Sequence, residues 1–260
     1  MKIVDLDPEH EEIYCQCLEE WSDEIREAGN HKRDWYAKAK NQGLRVKLAL
    51  DENGAVGGMI QYLPIEHSPA AGVGLYFVLC VWVHGHKQGR GNFQKKGMGT
   101  ALLQAAEVDA RARGAKGMVV WGVIMPFWMK ASWFRKHGYR KADRQGMMAL
   151  LFKPFTADAK PPVWIKAKKK PAPEMGKVVV TGFLNGWCPA MSMVHERARR
   201  AAAELGPKVE FRTIRTDDPA AFLEWGMTDA LFIDGKEVRN GPPPKYEKIK
   251  RKIEKQVKKL

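Results

Sequence analysis

The pattern of apolar and polar residues changes period several times along the first 155 residues, and each change delimits a helix or a strand. Residues 44–51 alternate like a half-buried strand, and Asn53-Gly54 is a strong hairpin signal. The apolar run Leu75–Val83 predicts a buried strand, and residues 97–113, rich in Ala and Leu, predict a helix. The predicted strands span 2–6, 44–51, 55–63, 75–83, 117–123, 139–141 and 147–152; the predicted helices span 8–20, 31–41, 97–113 and 126–137.

A second set of periodic segments follows a stretch that has no sustained periodicity. Residues 157–176 contain four prolines and five lysines, which is typical of a linker between domains. Beyond it, strands are predicted at 177–184, 209–216, 230–233 and 237–239, and helices at 190–205, 220–225 and 245–260. We therefore divide the chain into an N-terminal domain (1–155), a Pro/Lys-rich linker (156–176) and a smaller C-terminal domain (177–260).

The composition is that of a globular protein with a basic excess. The chain has 260 residues, of which 45% are hydrophobic, and its net charge is +14. Residues 243–260 contribute +6 and residues 156–175 contribute +3, so more than half of the excess lies in two short segments. Basic segments can bind nucleic acid. However, Tyr246, Ile249 and Ile253 recur at helical spacing, which favours a solvated helix docked on a core, and nucleic acid is not an expected partner.

Cysteine content and hydropathy point to a cytoplasmic protein. The four cysteines (Cys15, Cys17, Cys80 and Cys188) are few and unevenly spread, as expected in a reducing compartment. The N-terminus shows no apolar signal segment, and the longest apolar run is too short to span a bilayer. No group of residues has the spacing of metal ligands, so no metal is expected. The oligomeric state stays open, a dimer included.

The strongest chemical signal is the segment 94–100, which lies between the strand Leu75–Val83 and the predicted helix. A glycine-rich turn that opens a helix directs several backbone N–H groups at one point, where a phosphate can bind. Gly97 and Gly99 allow positive φ and close approach of an anion, and Lys95 and Lys96 add positive charge. The segment is neither a Walker loop nor a dinucleotide fingerprint; its pattern is Gln94-x-x-Gly97-x-Gly99.

This pattern resembles the acetyl-CoA pyrophosphate loop of the GNAT family of N-acetyltransferases. A second segment, 133–139, resembles the family's second cofactor motif, and the two motifs stand in the family's order. The resemblance implies an α/β (α+β) fold with a central, splayed mixed sheet, and acetyl-CoA as co-substrate. The cofactor contacts it implies are Val81, Val83, Gln94, Lys95, Lys96, Gly97, Met98, Gly99, Thr100 and Phe134.

The chain departs from the family pattern where a proton donor is usual. A tyrosine that protonates the leaving thiolate often stands four residues before the glycine of the second motif, and here that residue is Phe134. Phenylalanine cannot donate a proton, so the acid must lie elsewhere, be water or be dispensable. Glu66 and His84 are the candidates for the base, or for a water chain, that deprotonates the attacking amine.

The C-terminal domain has a cysteine at its first strand-to-helix junction. The order β-α-β-α-β-β-α with Trp187-Cys188-Pro189 resembles the thioredoxin fold, and a GNAT domain followed by such a module resembles the YoaP-like acetyltransferases. A helix N-terminus favours the thiolate of Cys188. The partner cysteine of a dithiol enzyme is replaced by Met191, and Asp229 occurs where thioredoxins carry a cis-proline.

These observations leave competing functions open. The leading hypothesis is an acetyl-CoA-dependent N-acetyltransferase that acts on the amine of a small molecule by direct attack in a ternary complex. The alternatives are an acetyl-CoA-binding protein with weak or no transferase activity, which Phe134 motivates, and a thiol-based sensor or partner-binding protein, which Cys188 motivates.

Overall fold

The structure is a computed structural model, which describes residues 1–125, 128–238 and 242–260. The chain divides into two compact units. The first comprises Met1–Trp21 and Lys38–Ile165, and the second comprises Ser22–Ala37 and Lys166–Leu260. A segment from the N-terminal part of the chain therefore belongs to the second unit. Within the described residues, no helix combines the length and the apolar character needed to cross a bilayer.

The helices and strands are numbered here in chain order. The helices are α1 Glu11–Cys15, α2 Asp23–Arg26, α3 His31–Ala39, α4 Met98–Ala112, α5 Ala131–Lys136, α6 Pro189–Glu204, α7 Pro219–Trp225 and α8 Tyr246–Val257. The strands are β1 Lys2–Asp5, β2 Arg45–Leu50, β3 Val56–Pro64, β4 Ala70–Ala71, β5 Leu75–Val83, β6 Gly117–Val123, β7 Arg140–Gln145, β8 Met148–Pro154, β9 Val163–Trp164, β10 Val178–Leu184, β11 Val209–Arg215, β12 Ala230–Ile233 and β13 Lys236–Glu237.

The first unit is built on a seven-stranded mixed sheet of order β1-β2-β3-β5-β6-β8-β7. Its neighbouring strands are antiparallel except β5 and β6, which are parallel. The parallel pair follows from the α4 crossover, because two parallel neighbours need a long connection. Leu102, Leu103 and Ala106 of α4 are completely buried in the core. The mixed α/β sheet predicted from the sequence is confirmed.

Two predicted helices of the first unit are shorter than their sequence pattern indicated. The helix predicted at 8–20 is a 3-10 turn followed by α1, which ends at Cys15. Cys17 and Leu18 have φ angles of 53° and 61°, which a right-handed helix cannot contain. The helix predicted at 126–137 is reduced to α5, and its predicted first residue, Pro126, lies outside the described residues.

The second unit contains a four-stranded sheet of order β11-β10-β12-β13. β10 is parallel to β11 and antiparallel to β12, which is antiparallel to β13. Helices α6 and α8 cover this sheet with buried apolar side chains, among them Val194, Ala198, Ile249 and Ile253. The β-α-β-α-β-β-α order predicted for the C-terminal part is observed. The end of the strand predicted at 237–239 lies outside the described residues.

Candidate active site

The parallel strands β5 and β6 diverge along their length. They pair only from Leu75 opposite Gly117 to Val78 opposite Val120, although β5 continues to Val83 and β6 to Val123. On its other edge, β5 pairs with β3 along its length, with a register shift that leaves Leu79 as an extra residue. Such a bulge bends a strand away from its neighbour. The result is a gap between the carboxyl-terminal halves of β5 and β6.

Two tryptophans occupy the gap edge of β5. The indole N–H of Trp121 donates to the carbonyl of Leu79 at 2.8 Å, and that of Trp128 donates to the carbonyl of Val81 at 3.3 Å. The two indole rings meet edge to face with centroids 5.3 Å apart. These side chains satisfy backbone groups that β6 no longer reaches. Trp128 is 38% exposed, so it covers the gap from the solvent side.

A glycine-rich turn leads into α4 beside this gap. Gly97 is the N-cap with φ of 82°, and Lys95 has φ of 63°, so the chain turns through left-handed backbone before the helix begins at Met98. No side chain caps this end, and its first helical bond runs from the Ala101 N–H to the Gly97 carbonyl. Among the described residues, no acceptor lies on the N–H groups of Met98, Gly99 and Thr100.

This arrangement suits an anion. Uncapped first-turn N–H groups and the helix dipole both attract negative charge. Lys95 and Lys96 are exposed next to the turn, and neither forms a salt bridge within the residues that the structure describes. The side chain of Gln94, at the start of the turn, packs against Gly85: a Cβ at Gly85 would lie 2.1 Å from the Gln94 amide nitrogen.

Trp133 of α5 and His137, the residue that follows α5, were not among the predicted site residues. The ring of Trp133 stacks on His137 with centroids 4.3 Å apart. His137 Nδ1 donates to the Trp133 carbonyl at 2.9 Å, and its Nε2 is hydrogen-bonded to the Thr100 hydroxyl at 3.1 Å. Thr100 lies in the first turn of α4, and this contact therefore links the end of α5 to the glycine-rich turn. Trp133 and His137 both lie in the second motif, segment 133–139, and that motif is the sequence signal that could have identified them.

Phe134 belongs to the hydrophobic core. Its side chain is 1% exposed and packs between Trp133 and Tyr139, with ring centroids 4.9 Å and 6.0 Å away. Phe134 therefore contributes to the site indirectly, by packing against the half-buried ring of Trp133. The structure brings Trp133, rather than Phe134, close to the glycine turn: a Cβ at Gly99 would lie 3.5 Å from the Trp133 ring.

Glu66, one of the two candidate bases, lies away from the gap. Glu66 is exposed and follows β3, whose last residue, Pro64, pairs with Tyr76 near the start of β5. Val81 lies five residues farther along β5, roughly 17 Å away at the usual strand rise. The strand register thus separates Glu66 from the gap and does not support a direct role as base there.

His84 follows β5 and is completely buried. The Trp21 indole N–H donates to its Nε2 at 3.0 Å, and its Nδ1 donates to the Gly91 carbonyl at 2.6 Å. An indole nitrogen can only donate and a carbonyl can only accept, so these bonds require neutral imidazole with its lone pair in use. His84 thus anchors the long loop after β5, and no lone pair remains to take a proton from a substrate.

The second unit places Cys188 at the N-cap of α6, half-buried, with the Ser192 N–H bonded to its carbonyl at 3.0 Å. Asp229 lies beneath the preceding loop and accepts from the Asn185 N–H at 2.9 Å. Burial raises the pKa of Asp229 to about 7, although hydrogen bonds from Asn185, Gly186 and Trp187 act to lower it. The backbone of the loop before Cys188 is thus hydrogen-bonded to the Asp229 carboxyl, whose pKa is about 7.

Comparison with known proteins gives one sequence-level match. A model of the acetyltransferase (GNAT) family matches residues 8–139, which is half of the chain and includes both the glycine-rich turn and α5. No curated protein sequence matches the chain.

Several solved structures are similar to a little over half of the chain. A GNAT-family acetyltransferase of Brucella melitensis in complex with acetyl-CoA is 20% identical, with 61% of this chain and 90% of that chain covered and a TM-score of 0.42. The PaiA N-acetyltransferase of Thermoplasma acidophilum with coenzyme A is 15% identical (60% and 100% covered, TM-score 0.43). The YhbS N-acetyltransferase of Escherichia coli with CoA is 12% identical (63% and 88% covered, TM-score 0.44).

Proposed function

Because this chain belongs to the acetyltransferase (GNAT) family, we propose that it transfers an acetyl group from acetyl-CoA to the amine of a small molecule. The observation that carries the proposal is the uncapped start of α4 after Gly97, immediately beside the gap between β5 and β6. A linear ligand with a diphosphate at one end and amides along its length fits these two features together. The small-molecule acceptor is the part of the proposal that rests on the sequence alone.

The pyrophosphate of acetyl-CoA is assigned to the turn 94–100, with the N–H groups of Met98, Gly99 and Thr100 as its donors. The pantetheine arm is assigned to the gap edge of β5, near Val81 and Val83. In an extended strand, the N–H and C=O of one residue point to the same edge. Because the Val81 carbonyl accepts from Trp128 at the gap, the Val81 N–H faces the gap as well and can polarise the thioester carbonyl.

The chemical step is direct attack in a ternary complex. The neutral amine nitrogen adds to the thioester carbonyl, the tetrahedral oxyanion is stabilised by a β5 N–H, and the C–S bond then breaks to release the CoA thiolate. We assign loss of the amine proton, and protonation of the thiolate, to solvent water. Glu66 is too far from the gap, both ring nitrogens of His84 are hydrogen-bonded, and Phe134 has no ionisable group.

A matched pair of glycine variants tests cofactor binding. Gly97 and Gly114 have φ angles of 82° and 79° and open space around them, and they flank opposite ends of α4. Gly97→Glu and Gly114→Glu therefore impose similar backbone strain and the same charge, but only the first places a carboxylate at the anion site. By calorimetry, Gly97→Glu should weaken acetyl-CoA binding by about 100-fold or more, and Gly114→Glu by less than about threefold. Equal affinities would overturn the proposal.

A second candidate function is acetyl-CoA binding without efficient transfer, which the replacement of the usual acid by Phe134 favours. Release of free CoA thiol from acetyl-CoA, measured across a panel of amines, separates the two functions. Turnover with an amine supports the transferase, whereas tight binding with no thiol release for any amine supports the binding protein.

For residues 177–260, which follow the linker 156–176 and form most of the second unit, we propose a thioredoxin-like module of the YoaP-like kind. The strand order β11-β10-β12-β13 and the thiol of Cys188 at the start of α6 support this assignment. The module is proposed to bind a substrate or a partner, with Cys188 as a reactive thiol. A cytoplasmic location is part of the same proposal.

A further inference from the structure

Three potential ligand side chains converge within the second unit. His31 lies at the start of α3, and His195 and Glu196 lie in the middle of α6. One nitrogen of each histidine and one carboxylate oxygen lie within 4.8 Å of one another. Spacing along the chain predicts no metal site, because His31 and His195 are 164 positions apart. The adjacent pair His195-Glu196 was the only sequence signal.

The distances within this cluster match those between ligands of one ion. The same carboxylate oxygen, Glu196 Oε1, lies 2.9 Å from His31 Nε2 and 3.3 Å from His195 Nδ1. Around a tetrahedral zinc ion with ordinary bond lengths, neighbouring ligand atoms are about 3.4 Å apart. Both histidine–carboxylate distances thus lie within about 0.5 Å of this value, and all three atoms lie within 4.8 Å of one another.

Two of the side-chain atoms that would not bind the ion already have partners. His195 Nε2 lies 3.0 Å from the Thr213 hydroxyl, and Glu196 Oε2 lies 2.8 Å from Arg199 Nη2. Metal-bound histidines and carboxylates generally have such outer partners, which orient the ring and select the tautomer. If His195 Nε2–H donates to Thr213, the lone pair of Nδ1 faces Glu196 Oε1, an arrangement that needs a proton or a cation between the two atoms.

The burial of the cluster also suits an ion. The side chains of His195, Glu196 and His31 are 5%, 15% and 20% exposed. The site is thus largely shielded, with access from the His31 side.

We propose that His31 Nε2, His195 Nδ1 and Glu196 Oε1 bind a divalent transition-metal ion of the zinc class. Two histidines and one carboxylate occupy three of the four positions of a tetrahedral coordination sphere. The fourth position is left for water or an exogenous ligand. Since the ligands come from α3 and α6, the bound ion fastens the N-terminal segment Ser22–Ala37 onto the rest of the second unit. This inference is independent of the acetyltransferase proposal.

The experiment uses the full chain, stripped with a chelator and titrated with Zn²⁺ by calorimetry. His31→Gln is the informative variant, because a glutamine amide can still donate to Glu196 but binds zinc poorly. His67→Gln, an exposed histidine of the first unit, is its matched control. We expect one tight Zn²⁺ per chain for the wild type and His67→Gln, and a loss of about 100-fold or more for His31→Gln.

Cobalt provides a second readout that does not depend on folding of the variant. Co²⁺ added to the stripped wild type should give the intense visible absorption of a tetrahedral site, and Zn²⁺ should displace it. Cys188→Ser should leave both signals unchanged, since the thiol is not among the ligands. Absence of stoichiometric Zn²⁺ binding to the wild type, loss of the signals in Cys188→Ser, or equal affinity of His31→Gln and His67→Gln would each overturn the proposal. In those cases the cluster is a hydrogen-bonded histidine–carboxylate group only.

Discussion

At the scale of single residues, hydrogen-bond partners decide which side chains can exchange a proton. His84 is a histidine beside the candidate site, yet its two ring nitrogens are bonded to Trp21 and to the Gly91 carbonyl. Asp229 is an ordinary residue in the sequence, but its surroundings raise its pKa to about 7. Burial also lowers the pKa of His195, to about 4. Residue type alone therefore does not identify the titrating groups of this protein.

Asp229→Asn should change how the free energy of unfolding depends on pH. Folded Asp229 keeps its proton up to about pH 7, whereas the unfolded residue loses it near 3.8. The folded state thus holds the extra proton between these values, and the contribution of Asp229 to stability falls as pH rises through this window. Relative to the wild type, the Asn variant should gain up to about 4 kcal/mol between about pH 4 and pH 7.

Urea unfolding at several pH values measures this difference. His195 acts in the opposite direction, because a folded pKa of about 4, below the ordinary 6.5, stabilises the fold above pH 6.5 and the effect is lost as pH falls. His195 is present in both proteins, so its effect cancels in the comparison. A stability difference that does not vary with pH would show that the Asp229 carboxyl titrates as in the unfolded chain.

At the scale of elements, the gap depends on how closely α5 approaches β6. Gly122 of β6 lies against the first residue of α5: a Cβ at Gly122 would be 2.7 Å from the Ala131 Cα and 2.8 Å from its nitrogen. Only glycine allows this contact. Trp133 of α5 and His137, which follows α5, contact the first turn of α4, so the position of α5 is linked to the geometry of the glycine-rich turn.

Gly122→Ala should therefore displace the start of α5. We expect a loss of about 1–3 kcal/mol in unfolding free energy from overpacking, together with weaker acetyl-CoA binding. Chemical denaturation and calorimetry measure the two effects. Adding Ala131→Gly should not rescue the variant, because the nearest atoms are backbone atoms and not the Ala131 methyl group. A full rescue by Ala131→Gly would mean that side-chain crowding, rather than helix approach, sets the geometry.

At the scale of the whole molecule, the second unit is assembled from two distant parts of the chain. Ser22–Ala37 belongs to it together with Lys166–Leu260. Within this unit, Arg197 is 3% exposed and donates to both carboxylate oxygens of Glu27, at 3.1 Å and 2.8 Å, and to the Pro244 carbonyl at 3.1 Å. The pKa of Glu27 is lowered, first of all by its hydrogen bond to Arg197.

A fragment of residues 166–260 lacks Glu27, so Arg197 loses the carboxylate that pairs with its charge. The penalty for such an unpaired charge is about 3–5 kcal/mol, so the fragment should be far less stable than the same unit in the full chain. Thermal unfolding followed by circular dichroism measures this. Arg197→Met within the fragment should recover part of the loss, since it removes the unpaired charge. A fragment as stable as the full chain would show that Ser22–Ala37 contributes little.

Much of the architecture follows from the sequence alone, because it is encoded in short-range patterns. The strand Leu75–Val83, the hairpin at Asn53-Gly54, the glycine turn and the helix behind it depend on residues within a few positions of each other, and the structure contains all of them. The family could be identified for the same reason, since both motifs are local.

Only the tertiary structure decided which distant residues meet. The gap between β5 and β6 depends on a bulge and on α5 packing, the neutral state of His84 depends on Trp21, and the cluster of His31, His195 and Glu196 depends on a segment of the N-terminal part joining the second unit. Each of these contacts joins residues that are remote along the chain, and their energies depend on burial and on partners that no local pattern specifies. Periodicity can therefore place the elements of this protein, whereas the protonation states and ligand geometry of its sites are set by the packing between them.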